Sequence, residues 1–366
     1  MIPSIEYLML IFFLFSISFI EFFEKKNIVL IILGVVPIII LSSIRWNTGL
    51  DWNPYLRLFE SLQQFEDLFD ARYEFGFVLL NYISKLILDD YSFLLFLTVS
   101  VVLFFKVKAF KYFSILPMTA LFFNACYYSA DLFSNRQAIA IAITLFSLVF
   151  IEKREKLKFY FTIFLATTFH FTAIIFISAY KIYTTNLSIK KQIFGVLGAV
   201  VVYFSLKGGG YVTIISPLLP GYIEDKLILY SKFAFEDTSV SIFILRALKK
   251  IIFLIYFYWI YTRLNCQTYR GIYNVFYASV VLYIVILGLP APFLRFTMYF
   301  TIVEVLLIVY SFRAFKGMQR VLIYLAFVLY GLSKFYYGFQ HDHEVLIPYE
   351  TIFQNNHKII DYQRYN

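Results

Sequence analysis

The stretch IVLIILGVVPIIILSSIRWNTGLDWNPYLRLF, residues Ile28–Phe59, changes character at Arg45. The part before Arg45 carries no charged residue and is long enough to form most of a membrane-spanning helix. The chain then places Arg45, Asp51 and Tyr55 among aromatic residues, where it would leave a bilayer. Because an ionisable residue at a membrane edge is costly, this stretch is a candidate functional site.

The apolar character extends over the whole chain. Of its 366 residues, 61% are hydrophobic and only 15% are charged, whereas soluble domains carry about 25% charged residues. No soluble core could bury this much apolar surface, so the sequence predicts an all-α, polytopic integral membrane protein. The net charge of +9 resides in short basic clusters between apolar runs, which is typical of membrane orientation signals and argues against nucleic-acid binding.

About ten segments are apolar and long enough to be full transmembrane helices. They are Pro3–Phe23, Ile28–Ile44, Tyr91–Phe105, Ile115–Ser129, Gln137–Ile151, Ile193–Leu206, Val240–Tyr261, Gly271–Leu289, Phe296–Phe312 and Val321–Tyr337. Two more, Phe75–Leu88 and Phe159–Tyr180, are predicted to be partial or re-entrant. No linker or repeat divides the chain, so residues 1–366 are expected to form a single transmembrane domain.

The basic clusters predict which segments cross. They are Lys25/Lys26, Lys106/Lys108/Lys111, Lys153/Arg154/Lys156/Lys158, Lys181 with Lys190/Lys191, Arg263/Arg270 and Arg313/Lys316/Arg320. If all face the cytoplasm, each interval between clusters crosses the membrane an even number of times. Because the interval from Lys26 to Lys106 already contains two full spans, Phe75–Leu88 is not expected to cross.

The interval from Lys158 to Lys181 is about 22 residues, too short for two full spans. Either it forms a re-entrant hairpin with its apex near TTFHFT at His170, or it is one helix that places Lys181 on the other side. The hairpin topology puts both termini outside. The expected outer loops are Arg45–Glu74, Ala130–Arg136, Lys207–Ser239 and Pro290–Arg295, with the tail from Gly338.

This topology brings several chemically capable side chains to the outer face: Arg45, Asp51, Tyr55, Arg136, His170 and Arg295. Each also has a structural interpretation. Arg45 and Arg295 are typical of interfacial arginines, Asp51 of a turn residue, and Trp46 and Trp52 of an aromatic belt.

Arg136 lies at the start of an apolar run. It either pairs with Asp131 on the surface or binds an anion at a helix N-terminus that Ser134 or Asn135 caps. His170 is either a hydrogen-bonded core residue or a general acid or base.

Three arginines around one outward cavity indicate an anionic ligand, since guanidinium groups bind phosphate in a bidentate manner. A lipid-linked pyrophosphate fits, with Asp51 or His170 taking a proton from an attacking hydroxyl and aromatic rings stacking on sugars. The chain has no Walker-type loop, G-x-S-x-G or H-E-x-x-H motif. No cofactor or metal is therefore expected, although HDHE at His341–Glu344 could bind a cation.

Several motifs in order along the chain resemble the EpsG family of polytopic polysaccharide polymerases, which are related in role to Wzy-type O-antigen and capsule polymerases. They are SSIRWNTGLDWNPYLRLF, YEFGFVLLNYI, SNRQAIAIAI, FHFTAIIFI, LRFTMYF and IPYE. The resemblance implies transfer of a glycan from undecaprenyl pyrophosphate onto another lipid-linked repeat unit, at the outer leaflet of a bacterial inner membrane. It also implies that a chain-length regulator protein is a partner.

The resemblance assigns residues by position in these motifs. Asp51, His170 and Arg136 are expected to be catalytic, with Asp51 or His170 as the base. The expected substrate-binding residues are Arg45, Tyr55, Gln137 and Arg295. A ligase that moves finished O-antigen, a flippase for the lipid-linked repeat and a sugar acyltransferase remain alternatives. The outer loops are short for a ligase, and no internal repeat indicates a transporter.

Overall fold

The computed structural model describes residues 3–24, 28–49, 51–114, 116–128, 133, 136–207, 212, 228, 240–341 and 346–354. These residues fall into two compact units, one of Met1–Ile174 with Phe315–Asn366 and the other of Ile175–Ala314. Most of the predicted loop Lys207–Ser239, the cluster Lys25/Lys26, the last three residues of HDHE, and the residues Asp131, Ser134 and Asn135 lie outside the described residues.

The first unit is helical, with a two-residue antiparallel ribbon. Its elements are α1 (Ile5–Phe23), α2 (Ile28–Ser43), β1 (Arg45–Trp46), α3 (Trp52–Ser61), α4 (Asp67–Asp70), α5 (Phe75–Ile87), α6 (Tyr91–Phe113), α7 (Pro117–Tyr127), α8 (Arg136–Glu152), α9 (Lys156–Phe169), a long helix Gly317–His341 and β2 (Glu350–Thr351). Helix α8 packs between α6 and α9, and α5 packs on α3, α6 and α9.

The second unit is built around the helix Gln267–Ile286. Its other helices are Ala179–Thr184, Ile189–Leu206, Val240–Leu264, Arg295–Thr301 and Glu304–Ser311. Among its described residues, 3₁₀ turns occur at Phe171–Ser178, which begins in the first unit, and at Ala291–Leu294 and Phe312–Ala314. Gln267–Ile286 contacts each of the five other helices, so most of its side chains are buried.

Large apolar side chains cover the outside of several helices. Phe12 is 71% exposed, Leu157 is 85% exposed and Phe194 is 73% exposed. Side chains of this size on many turns of α1, α9 and Ile189–Leu206 leave far more apolar surface than a soluble protein tolerates. The chain is therefore a membrane protein, with lipid as the solvent for these faces.

Six helices among the described residues are long and apolar enough to cross a membrane: Ile5–Phe23, Tyr91–Phe113, Ile189–Leu206, Gln267–Ile286, Pro292–Ala314 and Gly317–Gln340. The all-α membrane fold is thus supported, but the predicted count of about ten full spans is not confirmed. Helix α7 has 11 residues, which at 1.5 Å per residue fall well short of a bilayer core of about 30 Å. The helix Val240–Leu264 is long, but Arg246, Lys249 and Lys250 interrupt its apolar run.

The two ambiguous segments form short elements. Phe75–Leu88 contains α5, a helix of 13 residues, which is too short for a full crossing. In the other segment, α9 ends at Phe169 and His170 is extended, with φ −156° and ψ 112°. The chain continues as a 3₁₀ turn. The expected break at TTFHFT is therefore confirmed, whereas its depth in the membrane stays a prediction.

Candidate functional site

Arg45 organises the loop between α2 and α3. Its guanidinium is buried and donates through Nε to the Ser42 carbonyl at 3.2 Å and through Nη2 to the Phe133 carbonyl at 2.6 Å, while Nη1 donates to the Thr48 carbonyl. Burial lowers the pKa of this guanidinium below its ordinary value. The contacts hold backbone in place, and the prediction that Arg45 binds substrate remains untested.

Gly49 allows the chain to turn tightly over Arg45. Its φ of +107° lies in the left-handed region, and a Cβ atom there would be 3.1 Å from Arg45 Nη1. Only glycine adopts this conformation without strain. The turn delivers Asp51 to the N-terminus of α3, where its side chain makes no capping hydrogen bond and is exposed.

The IPYE segment closes the other side of this loop. β1 pairs antiparallel with β2, so that Arg45 lies opposite Thr351 and Trp46 lies opposite Glu350. The Tyr349 hydroxyl also donates to the Leu41 carbonyl at 2.6 Å. The late motif and the first motif therefore meet in space, which fixes the point where the loop begins.

Arg136 is the centre of a polar network. Its Nε donates to the Tyr55 hydroxyl at 2.9 Å, and that hydroxyl donates to Asp51 Oδ2 at 3.2 Å. Its Nη1 forms an ion pair with Glu74 Oε2. Arg136 Cζ also lies 4.7 Å from the centroid of the Tyr73 ring. Three predicted site residues, Asp51, Tyr55 and Arg136, are thus brought together.

Tyr55 acts as a neutral hydroxyl in this network. Burial, followed by the nearby Asp51 carboxylate, raises the pKa of its phenol above the ordinary value of 10. The phenol therefore keeps its proton for Asp51 while it accepts a hydrogen bond from Arg136. The geometry joins the exposed carboxylate to the cation through one buried oxygen.

The sequence did not single out Glu74, although it is the second residue of the motif YEFGF. It is the N-cap residue of α5, but its side chain makes no capping hydrogen bond and pairs with Arg136 instead. Its second oxygen accepts a hydrogen bond from the Phe171 amide at 3.1 Å. Glu74 therefore connects Arg136 to the break after α9, because Phe171 follows His170 directly.

A close helix contact sets the position of Glu74. A Cβ atom on Gly76 would lie 2.8 Å from the Thr168 carbonyl oxygen, so α5 and α9 approach through a glycine. His170 itself is half-buried, and its Nδ1 lies 2.7 Å from the Thr172 hydroxyl. His170 is therefore next to the network, because the amide of the following residue, Phe171, donates to Glu74.

Gln137 and Arg295 are the remaining predicted residues. Gln137 follows Arg136 on α8 and is half-buried. Arg295 begins a helix of the second unit and is exposed. Among the described residues, no group of three or more His, Cys, Asp and Glu side chains could hold a metal ion. The expectation of a metal-free site stays a prediction.

Comparison with known proteins identifies a family but no individual relative. Searches of curated proteins and of solved structures found no significant match. The family model described as the EpsG family matches residues 27–351, which include every element of the network above. With a match over most of its length, the chain belongs to the EpsG family, whose members are Wzy-type polymerase-like proteins.

Proposed function

We propose that this membrane protein is a polysaccharide polymerase that joins undecaprenyl-pyrophosphate-linked oligosaccharide repeat units into O-antigen, capsule or exopolysaccharide. The observation that carries the proposal is the Asp51–Tyr55–Arg136–Glu74 network. It presents a cation and an exposed carboxylate in one cluster of an EpsG-family chain. In glycosyl transfer from a pyrophosphate, a cation stabilises the leaving group and a carboxylate accepts the proton of the attacking hydroxyl.

Arg136 stabilises the leaving group. As the bond between the anomeric carbon and the pyrophosphate oxygen breaks, negative charge develops on the pyrophosphate. Arg136 stands at the N-terminus of α8, where the helix dipole also favours an anion. Its Nε and Nη1 donate to Tyr55 and Glu74, and Nη2 donates to no group within the described residues. That edge is the one we assign to the departing pyrophosphate.

Asp51 is the general base. The hydroxyl of the acceptor sugar attacks the anomeric carbon from the face opposite the pyrophosphate, and its proton passes to the Asp51 carboxylate. One C–O bond forms, one breaks, undecaprenyl pyrophosphate leaves, and the anomeric configuration inverts. Asp51 is favoured over His170 because it is exposed and because Tyr55 orients it from behind. His170, engaged by Thr172, then positions the start of the 3₁₀ turn.

The other expected roles follow the same reaction. Tyr55 orients Asp51, and Gln137 and Arg295 are assigned to substrate binding. Arg45, with its carbonyl contacts, is assigned to loop positioning instead. The charge pattern supports an active site on the outer face of a bacterial inner membrane. The bilayer and the lipid-linked oligosaccharide are the partners, with a chain-length regulator as an expected protein partner.

The test is a gel of surface glycan from cells that lack the gene and carry a plasmid copy. We expect the wild type to restore a ladder and Arg136→Ala to restore none at equal membrane abundance. Lys158→Ala is the matched control, because it removes an exposed cation at the start of α9, and it should restore the ladder.

If cells that lack the gene still carry a single repeat unit on the glycan acceptor, flippase and ligase functions are excluded. Repeat units are then still moved across the membrane and attached to the acceptor without this protein. A deletion that leaves the ladder intact would overturn the proposal, and full activity of Arg136→Ala would remove Arg136 from the site.

A further inference from the structure

A groove lies directly beside the Arg136 network. It is a cavity of about 640 Å³ formed by α3, α4 and the chain that leads to Tyr73. We call it the Arg57–Arg72 groove, after the two exposed arginines in its lining. Its volume is in the range of small-ligand sites, about 300–1,000 Å³.

The groove combines an apolar floor with a charged rim. Leu58 and Leu62 are buried and form apolar parts of the lining. Arg57 lies three residues after Pro54 and four before Ser61, so these lining residues share one face of α3. An apolar floor with hydroxyl and guanidinium groups above it matches the chemistry of a sugar ring that carries an anionic substituent.

The walls of the groove are held in place by hydrogen bonds. Asp67 Oδ2 accepts from the amides of Gln63 at 2.7 Å and Gln64 at 2.9 Å, and these bonds lower the pKa of its carboxyl. Lys85 Nζ donates to the carbonyls of Phe59 at 3.0 Å and Glu60 at 3.1 Å near the end of α3. Asp67 therefore serves the turn and stays ionised, so the lining carries two guanidinium groups and one carboxylate and is positive on balance.

Tyr73 connects the groove to the proposed catalytic network. It lines the groove, its ring lies 4.7 Å from Arg136 Cζ, and the rings of Tyr73 and Tyr55 are 5.8 Å apart. A glycan whose reacting sugar lies at Arg136 and Asp51 would extend along Tyr73 into the groove. An aromatic ring at this junction offers a stacking surface for a sugar face.

We infer that the Arg57–Arg72 groove binds an acidic sugar of the repeat unit, one that carries a carboxylate or phosphate substituent. This inference rests on the proposed polymerase function, because it identifies the substrate class of that site. The two arginines would bind the anionic substituent, and Tyr73 would hold the neighbouring ring. Neutral oligosaccharides would lack the charge-assisted contacts and bind weakly.

Binding to the purified full chain in nanodiscs tests the inference. The probes are hyaluronan tetrasaccharide, which carries uronates, the neutral N-acetylchitotetraose and inorganic pyrophosphate, measured by isothermal titration calorimetry. We expect the wild type to bind the acidic tetrasaccharide about tenfold more tightly than the neutral one. The double variant R57Q/R72Q should lose this preference, while K156Q/K158Q, which removes two charges elsewhere, should keep it.

Three results separate the possible outcomes. Equal affinity for acidic and neutral probes, or no acidic binding, would overturn the inference. If pyrophosphate competes with the acidic tetrasaccharide, and if its binding is also lost in R57Q/R72Q, the groove is a general diphosphate site and the inference is overturned. Arg136→Gln should abolish chain extension and leave acidic binding within about threefold. If that variant still extends chains while the groove keeps its preference, the proposed mechanism fails and the groove assignment stands.

Discussion

The Tyr55 hydroxyl accepts a hydrogen bond from Arg136 Nε at 2.9 Å and donates one to Asp51 Oδ2 at 3.2 Å. Tyr55 and Arg136 are 81 positions apart in the sequence, on α3 and on the first turn of α8. A single buried oxygen thus couples the exposed carboxylate to the partly buried cation. Chain extension should depend on that oxygen.

Tyr55→Phe should remove the coupling and keep the ring. We expect chain extension to fall about 10- to 100-fold, because Asp51 loses the donor that orients it. The rings of Phe77 and Tyr73 still pack on the substituted ring, so the melting temperature should change little. Gel densitometry of the glycan ladder and the melting temperature of the purified protein measure the two effects. A ladder of wild-type density would show that the hydroxyl is dispensable.

Tyr55 should not set the alkaline limit of activity. Because burial raises its pKa above 10, the protonated form persists to higher pH than for an exposed tyrosine. The pH–rate profile of the residual activity of Tyr55→Phe should therefore keep the alkaline limb of the wild type. A shift of that limb in the variant would show that Tyr55 ionises during the reaction.

Glu74→Gln should reduce chain extension about tenfold or more. Glu74 and Arg136 are only 22% and 21% exposed, so neutralising the carboxylate leaves a partly buried guanidinium without its counter-charge. We expect a loss of about 1–3 kcal/mol in the free energy of unfolding, less than for a fully buried pair. Glu155→Gln, which breaks the exposed pair with Lys158, is the control and should change stability by less than about 0.5 kcal/mol. Equal losses of unfolding free energy in Glu74→Gln and Glu155→Gln would contradict the claim that the partly buried Glu74–Arg136 pair stabilises the protein.

Gly76→Ala should separate α5 from α9. The new Cβ atom would lie 2.8 Å from the backbone oxygen of Thr168, which cannot rotate away as a side chain can. We expect destabilisation of about 1–3 kcal/mol and reduced chain extension, because Glu74 moves with α5. Gly198→Ala is the matched control: it has no atom within 4 Å of the new Cβ and should be neutral or slightly stabilising. Thermal unfolding of both variants measures the difference, and similar melting temperatures would contradict the close contact.

In the second unit, Lys250 and Glu304 form an ion pair at 3.1 Å, with Glu304 only 1% exposed. Glu304→Gln should destabilise the protein by about 3 kcal/mol, because the partly buried Lys250 keeps its charge without the buried carboxylate that balances it. Adding Lys250→Met should recover part of that loss, giving a coupling energy of about 1–3 kcal/mol in a double-mutant cycle. Additive losses measured by denaturant unfolding would show that the two side chains act independently.

The sequence predicted those features that depend on local pattern. Apolar runs located the helices, and charge parity located the break at TTFHFT, where α9 ends one residue before His170. The EpsG resemblance is confirmed by the family model. The number of spans was not confirmed, because composition does not reveal how short a helix such as α7 becomes once it is buried among neighbours.

The partners of the arginines could not be predicted. Arg45 and Arg136 both border apolar runs, yet Arg45 is buried against backbone carbonyls and Arg136 pairs with a carboxylate. The difference depends on which distant segments close over each residue, Phe133 in one case and Glu74 in the other. Glu74 lies 62 positions from Arg136, and no local spacing rule connects them. An acidic residue that opens an apolar helix was the only available signal.

The most direct measurement is chain extension by the purified protein with the lipid-linked repeat unit as the sole substrate. The reaction is run in nanodiscs without nucleotide and with EDTA, because the pyrophosphate leaving group supplies the driving force and no metal is expected. The account predicts a ladder of products with the wild type and with Lys158→Ala, and none with Arg136→Ala or Asp51→Asn. A ladder from Arg136→Ala, or no ladder from the folded wild type, would contradict it.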